Sequence, residues 1–364
     1  TIYAPDFKPI VGGVAEYTFH LADGLYKAGL LDKVVTPVPQ ERLYHFPVTA
    51  PKKRNLVINK LSSLAYVSER YFIKLSTLSQ LKSRKGLVII NWLESPLSYD
   101  LIENCQKHKI KYALILHGKE IITSNKKDSY SFQRICQQAE LLIFNSKATY
   151  NLFQKTTLQT PSKSYTLNPG INCDTLGELP TLSREELESK LSISLHDKIV
   201  VSTVCRLVKR KGIDLALRAI APLLKSNSEL IYLIGGTGEE HENLKQLIDE
   251  LEISEQAHLL GSIAEDEKYS LLNISSIFLM PNNGNQGTDF EGFGISFIEA
   301  SYFKNVVIGG NSGGAVEAIA QGVSGFLIET DYPSAIEQIR EHLDYLVSHP
   351  TERHQIAESG RNYV

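Results

Sequence analysis

The apolar and polar positions of the chain follow one repeated plan. A short apolar run ends in a glycine-rich or polar turn, and a longer stretch with helical spacing follows. In the first half the runs are "TIYAP", "GLVIINWL", "KYALILHG", "AELLIFNS" and "SYTLNPG"; in the second they are "KIVVSTVCRL", "ELIYLIGG", "QAHLLGSI", "SIFLMPN" and "NVVIGG". Several are continuously apolar rather than alternating, which predicts strands covered on both faces, as in a parallel sheet. The pattern therefore predicts two doubly wound α/β domains. Between them "NPGINCDTLGELPTLS", Asn168 to Ser183, is rich in turn formers and poor in periodicity. That stretch predicts the hinge, with domains at 1–172 and 173–350 and a charged helical tail at 351–364.

Length and composition fit this division. A chain of 364 residues exceeds one ordinary core, and 42% apolar with 22% charged residues is ordinary for a globular protein, which excludes a disordered chain. No apolar run approaches the roughly 18 residues that cross a bilayer. The visible start reads as a strand rather than a signal peptide, so a cytoplasmic location is expected. Cys105, Cys136, Cys173 and Cys205 are widely spaced with no C-x-x-C pair, which predicts four buried thiols rather than a zinc site or disulfides. The net charge of -3 conceals an asymmetry: residues 1–172 carry 23 Lys/Arg against 12 Asp/Glu, and residues 173–364 carry 15 against 29.

In open parallel sheets ligands bind beyond the carboxyl ends of the strands, so the polar groups just after each run are the candidates. Gly12 and Gly13 precede a helix with apolar positions Val14, Tyr17, Leu21 and Leu25, where a ligand anion or a simple tight turn would each use paired glycines. His117 follows "LIL", where it can donate to a substrate oxygen or serve as an ordinary surface histidine. Arg206 and Lys211 in "VCRLVKRKGID" bring a guanidinium fork and an ammonium within reach of one departing diphosphate, leaving Lys209 and Arg210 as the solvated members. "IGGTGEEHENL" lacks the last glycine of G-x-G-x-x-G, which argues against a nicotinamide site.

The stretch "TDFEGFGISFIEA" places Glu291 and Glu299 on either side of a Gly-Phe-Gly step. On one continuous helix they would lie about 12 Å apart along the axis. A helix beginning near Ile295 instead leaves Glu291 in the preceding loop, aims the amides of Phe293 to Ile295 at a ligand oxygen, and puts Glu299 one turn in.

"EGFGISFIEA" resembles the E-x7-E motif of the retaining GT-B glycosyltransferases of glycosyltransferase family 4. The resemblance extends in order through "GGVAEYTFHLADGL", "LHG", "FNSKAT", "LNPGIN", "CRLVKRKGID", "LIGGTGEE" and "GNSGGAVEAIAQGVSGFLI". It implies two Rossmann-like domains facing each other across a cleft and a nucleotide-sugar donor held without a metal or cofactor. Glu299 would bind the ribose, Glu291 with the amides of Gly292, Phe293, Gly294 and Ile295 the donor sugar, and Arg206 and Lys211 the diphosphate. Gly12 and Gly13 would approach the diphosphate, His117 the sugar near its reacting carbon, and Ile263 the base. Family frequency favours a UDP-hexose such as UDP-glucose over a GDP-sugar, with a saccharide or lipid-linked hydroxyl as acceptor. His117 is followed by Gly118 where many relatives have aspartate, so no carboxylate is in place to orient it. The tail stops short of the family's return helix to the first domain.

Residues 51–86 carry nine Lys/Arg and one acid, with Val57, Leu61, Leu64, Tyr71, Leu75 and Leu78 on one helical face. Such a segment is a candidate for peripheral contact with the inner face of a membrane, or a core stripe with a solvated basic back. Nucleic acid is disfavoured by the acidic second half and the absence of a recognised motif. The competing readings are a nucleotide-sugar epimerase, a glycosidase using Glu291 and Glu299, and a non-catalytic nucleotide-sugar sensor.

Overall fold

The computed structural model describes residues 1–10, 12–40, 43–51, 86–161, 163–179, 181–284, 290–330 and 334–364. The basic amphipathic stretch of 51–86 lies almost wholly outside them.

The chain divides into two compact units, 1–169 and 170–364. The first has a sheet ordered β3-β2-β1-β4-β5-β6-β7, with β1 Ile2–Tyr3, β2 Val34–Val35, β3 Val48–Thr49, β4 Val88–Asn91, β5 Tyr112–Leu116, β6 Leu141–Phe144 and β7 Ser164–Thr166. The second is ordered β10-β9-β8-β11-β12-β13, with β8 Ile199–Val204, β9 Leu230–Gly235, β10 Ala257–Gly261, β11 Ile277–Met280, β12 Val306–Gly310 and β13 Gly325–Ile328. Every described strand pair in both is parallel. The apolar runs account for this directly: β5 and β9 are buried at every position, as strands covered by helices on both faces must be.

Each unit has its own core. In the first, Tyr3, Ile90, Leu114 and Phe144 on the strands pack with Leu101, Phe132 and Phe153 from helices. In the second, Val201, Tyr232, Phe278 and Val307 pack with Leu217, Ile220, Phe297 and Leu343. Three strands escaped the sequence pattern. Val34–Val35 and Val48–Thr49 are too short to show a period, and Gly325–Ile328 is a four-residue strand at the edge of its sheet. The last helix, Pro350–Tyr363, packs on the helix Ile295–Tyr302 within the second unit. Arg361 lies 3.3 Å from the centre of the Tyr302 ring and donates to the Tyr302 carbonyl. The expectation of four buried thiols holds for Cys105 and Cys136 and is corrected at Cys173, which begins a short helix in the turn-rich stretch after 169 and is exposed, and at Cys205, which is half-buried.

Candidate functional site

The strand order of the second sheet reverses between β8 and β11, so the loops leaving these neighbours diverge and open a crevice beyond their carboxyl ends. Both loops bring charge to that point. After β8 the chain runs into a turn at Lys209–Lys211 that leads into the helix Ile213–Ser226. Arg210 and Lys211 both donate to Oε2 of Glu291, which lies in the loop after β11, with Lys211 Nζ at 2.6 Å. The backbone joins the loops as well, since the amide of Asn283 donates to the Arg210 carbonyl at 2.8 Å.

Lys211 and Glu291 are only 7% and 8% exposed. Burial alone would raise the Glu291 carboxyl, but the Lys211 ammonium and the Arg210 guanidinium outweigh it and hold the pKa down to about 2. A carboxyl ionised so firmly has no proton to give at neutral pH, which argues against a glycosidase that would use it as a general acid. The cations divide differently from the sequence expectation. Lys209 is solvated and pairs with Asp214 at 2.7 Å, and Arg206 is exposed. Arg210, expected among the solvated members, turns inward because Glu291 supplies a buried anion beside it.

The helix after Glu291 starts at Ile295, where the glycine step predicts it, with Gly294 ahead of it in left-handed backbone at φ 91°. The first amides of a helix have no acceptor in their own ladder, so the backbone from Gly292 to Ile295 is suited to receive an oxygen anion. Glu299 sits one turn in and is 7% exposed. It accepts from Lys268 at 2.8 Å and from the Tyr269 hydroxyl at 3.4 Å. Both partners stand on the helix Glu265–Ile274, which follows β10. Ile263, just before that helix, lies over the end of β9, where a Cβ on Gly235 would come within 2.5 Å of its Cδ1. The Glu291 loop is itself braced from behind: the Gly314 amide donates to the Glu291 carbonyl at 2.8 Å.

In the first unit the sheet reverses between β1 and β4. Gly12 precedes the helix Gly13–Lys27, and Gly13 is exposed at its first position. The buried face of that helix is Ala15, Tyr17, Thr18, Ala22 and Asp23, rotated from the expected Val14, Leu21 and Leu25. Tyr17 thereby meets His117, and Thr18 is joined to it through Asn91. Thr18 Oγ1 donates to the Val14 carbonyl at 2.7 Å, and Asn91 at the end of β4 donates to Thr18 Oγ1. The Asn91 oxygen then accepts from His117 Nε2. Asn145, after β6, donates to His117 Nδ1 at 3.4 Å and accepts from the Thr149 hydroxyl at 2.7 Å. The direction of each bond sets the next, and the chain fixes His117 as the neutral Nε2–H tautomer. Tyr17 packs edge-on at 5.1 Å between ring centres. Burial pushes the His117 pKa down to about 3. The alternative of an ordinary surface histidine is thus corrected: His117 is 7% exposed and its ring nitrogens are engaged by two asparagines, which replace the missing aspartate.

Asn91 and Asn145 were missed, although each is the polar residue that closes an apolar run, "VIIN" and "LLIFN". Lys268 had no sequence signal beyond its place one turn into the helix after β10. Among the described residues no group of three His, Cys, Asp or Glu is placed to hold a metal ion, and no helix is long and apolar enough to cross a membrane.

Residues 183–363 match the family described as glycosyl transferases group 1, a span that includes Arg206, Arg210, Lys211, Glu291 and Glu299. The chain is 27% identical over 236 residues to the GDP-mannose-dependent alpha-(1-6)-phosphatidylinositol monomannoside mannosyltransferase of Mycolicibacterium smegmatis, covering 64% of this chain and 60% of that protein. The enzyme of the same name from Mycobacterium tuberculosis is 30% identical over 58% of this chain and 55% of its own length. The match thus spans little more than half of each curated relative. Among solved structures, Anabaena HepE in complex with UDP and glucose has a TM-score of 0.75 and 17% identity, over 100% of this chain and 94% of that one. That likeness establishes the fold as GT-B.

Proposed function

We propose that the protein transfers a hexosyl residue from a nucleoside diphosphate hexose to a hydroxyl acceptor in glycolipid or polysaccharide biosynthesis, with retention of anomeric configuration, as an E-x7-E enzyme of glycosyltransferase family 4. The observation that carries this reading is the buried cluster of Arg210, Lys211 and Glu291 at the strand-order reversal of the group 1 segment.

In this reading Lys211 and Arg206 grip the diphosphate, Glu291 and the backbone of Gly292 to Ile295 hold the hexose, Glu299 takes the ribose hydroxyls, and Ile263 lies beside the base. As the bond from the anomeric carbon to the phosphate oxygen breaks, the acceptor oxygen bonds to that carbon on the same face and its proton passes to the departing phosphate. Lys211 stabilises the charge that gathers there, a part that involves no metal. The first unit is assigned to the saccharide or lipid-linked acceptor.

For the donor, GDP-mannose leads over the UDP-glucose that family frequency favoured. The relatives named for GDP-mannose share 27% and 30% identity with this chain, against 17% for the UDP complex. The first turn of the helix that follows Ile263 also carries Glu265, Asp266 and Glu267, and carboxylates suit the adjacent N–H donors of a guanine edge better than the carbonyls of uracil. The test is mass spectrometry of released nucleoside diphosphate across a panel of GDP- and UDP-hexoses, with and without a membrane extract as acceptor source. Release of GDP from GDP-mannose that rises with extract is expected. No release from any donor would leave a binding protein and overturn the reading.

A further inference from the structure

Trp92 leaves β4 with φ 80°, in the left-handed region where a bulky side chain is strained. Among the other described non-glycine residues with positive φ, Lys109, Leu158, Ser192, Glu252 and Lys304 cap or follow the end of a helix, and Asp197 lies in the turn before β8. Only Trp92 takes this conformation at the carboxyl end of a strand. The strand is β4, beside the reversal in strand order where an open sheet admits a ligand. Its neighbours hold it there. Asn91 and Leu93 are fully buried on either side, and Ser98, on the helix Pro96–Lys107, donates to the Trp92 carbonyl at 2.8 Å. Trp92 itself is half-buried, with its ring centre 6.1 Å from that of His117. Strain that the surroundings enforce in this way gathers at ligand sites.

Charged groups stand on the same two segments. Glu94, two residues after Trp92, pairs with Lys119 at 3.1 Å and accepts from the Thr123 hydroxyl at 2.9 Å. Lys119 opens the helix Lys119–Gln138, two residues after His117. The Glu94 and Lys119 side chains are 23% and 45% exposed, within reach of a solute, and a carboxylate and an ammonium each have hydrogen-bonding capacity beyond one partner. A polyhydroxylated six-membered ring, pyranose or cyclitol, has an apolar C–H face and a rim of hydroxyls. An indole with a carboxylate and an ammonium nearby matches both parts. We propose that Trp92 is the platform on which such a ring of the acceptor stacks, with Glu94 and Lys119 taking its hydroxyls. This rests on the assignment of the first unit to the acceptor and deepens it: the hydroxyl that receives the hexose belongs to a ring, and Trp92 selects rings over open-chain alcohols.

The chain has one tryptophan, so tryptophan emission reports this residue alone. The experiment titrates the full chain, saturated with GDP or UDP, with methyl α-D-mannopyranoside, myo-inositol and the open-chain polyol sorbitol. A saturable change in emission with one or both rings and none with sorbitol is expected, and the ring that acts distinguishes a saccharide from a cyclitol acceptor. Transfer from the preferred donor to that ring is then measured. Trp92→Leu is expected to raise KM for the ring about ten-fold, with KM for the donor and its slow hydrolysis without acceptor unchanged. Trp92→Tyr, which keeps an aromatic face, is expected to recover most of the loss. Should Trp92→Leu not fold, Glu94→Gln takes its place, and a several-fold rise in KM for the ring is expected. While nucleotide is still released from the donor, emission that neither ring moves, or that sorbitol moves equally, overturns this inference alone. An unchanged KM for the ring in the variant that folds does the same. No nucleotide release from any donor overturns the transferase reading and this inference with it.

Discussion

Lys268 Nζ lies 2.8 Å from Oε1 of Glu299 and 4.2 Å from the centre of the Tyr269 ring. The lysine stands on the helix after β10 and the glutamate on the helix after β11, so one ion pair sets the direction of the carboxylate assigned to the ribose. Lys268→Met should raise KM for the nucleotide sugar about ten-fold while kcat changes little, since a hydrogen bond to a charged group contributes roughly 1.5–3 kcal/mol. Lys268→Arg should restore most of the loss. Steady-state kinetics in donor concentration checks this, and an unchanged KM would remove Lys268 from the site.

His117 is held neutral in the folded protein, with its pKa lowered from 6.5 to about 3 by burial. The unfolded chain therefore binds the extra proton first as pH falls. Stability is full above about pH 6.5 and declines through the window down to about pH 3. His117→Gln should flatten that decline. Melting temperatures of the wild type and variant between pH 7.5 and 5 measure it, and parallel curves would show that the ring does not stay neutral.

Glu120 works in the opposite sense. It is fully buried, with one oxygen accepting from the His117 amide and Oε2 without a hydrogen-bond partner among the described residues. Burial raises its pKa from 4.5 to about 7. Its contribution is complete below about pH 4.5 and is lost as pH rises through 7, where the ionised carboxylate is left in a dry site. Glu120→Gln should melt with the wild type at pH 5 and a few degrees above it at pH 9. A wild type as stable as the variant at pH 9 would contradict the raised pKa.

Gly314 permits a contact that no other residue fits. A Cβ there would lie 2.1 Å from the carbonyl oxygen of Gly292. Gly314→Ala should push the Glu291 loop off Arg210 and Lys211, cost about 1–3 kcal/mol of stability, and weaken donor binding more than ten-fold. Chemical denaturation together with donor titration checks both parts.

The parts of this protein legible in its sequence are those written as local pattern. Continuous apolar runs such as those of β5 and β9 announce a doubly covered sheet, and the glycines at 292 and 294 announce the helix start at Ile295. What escaped depends on contacts distant in the chain. Arg210 lies 81 residues from Glu291, and without that partner it reads as one more solvated cation in a basic turn. Asn91 and Asn145 act on His117 from 26 and 28 residues away, through a network that exists only once three neighbouring strands pair. Lys268 likewise gains its meaning from Glu299, 31 residues on.

The central claim is that the buried Lys211 stabilises a departing nucleoside diphosphate. Single-turnover release of GDP or UDP from the preferred donor, for the wild type and a folded Lys211→Met variant, tests it most directly. The account predicts a loss of about 10²–10³-fold in rate, the scale for removing one donor from a developing anion. Release at the wild-type rate would contradict it.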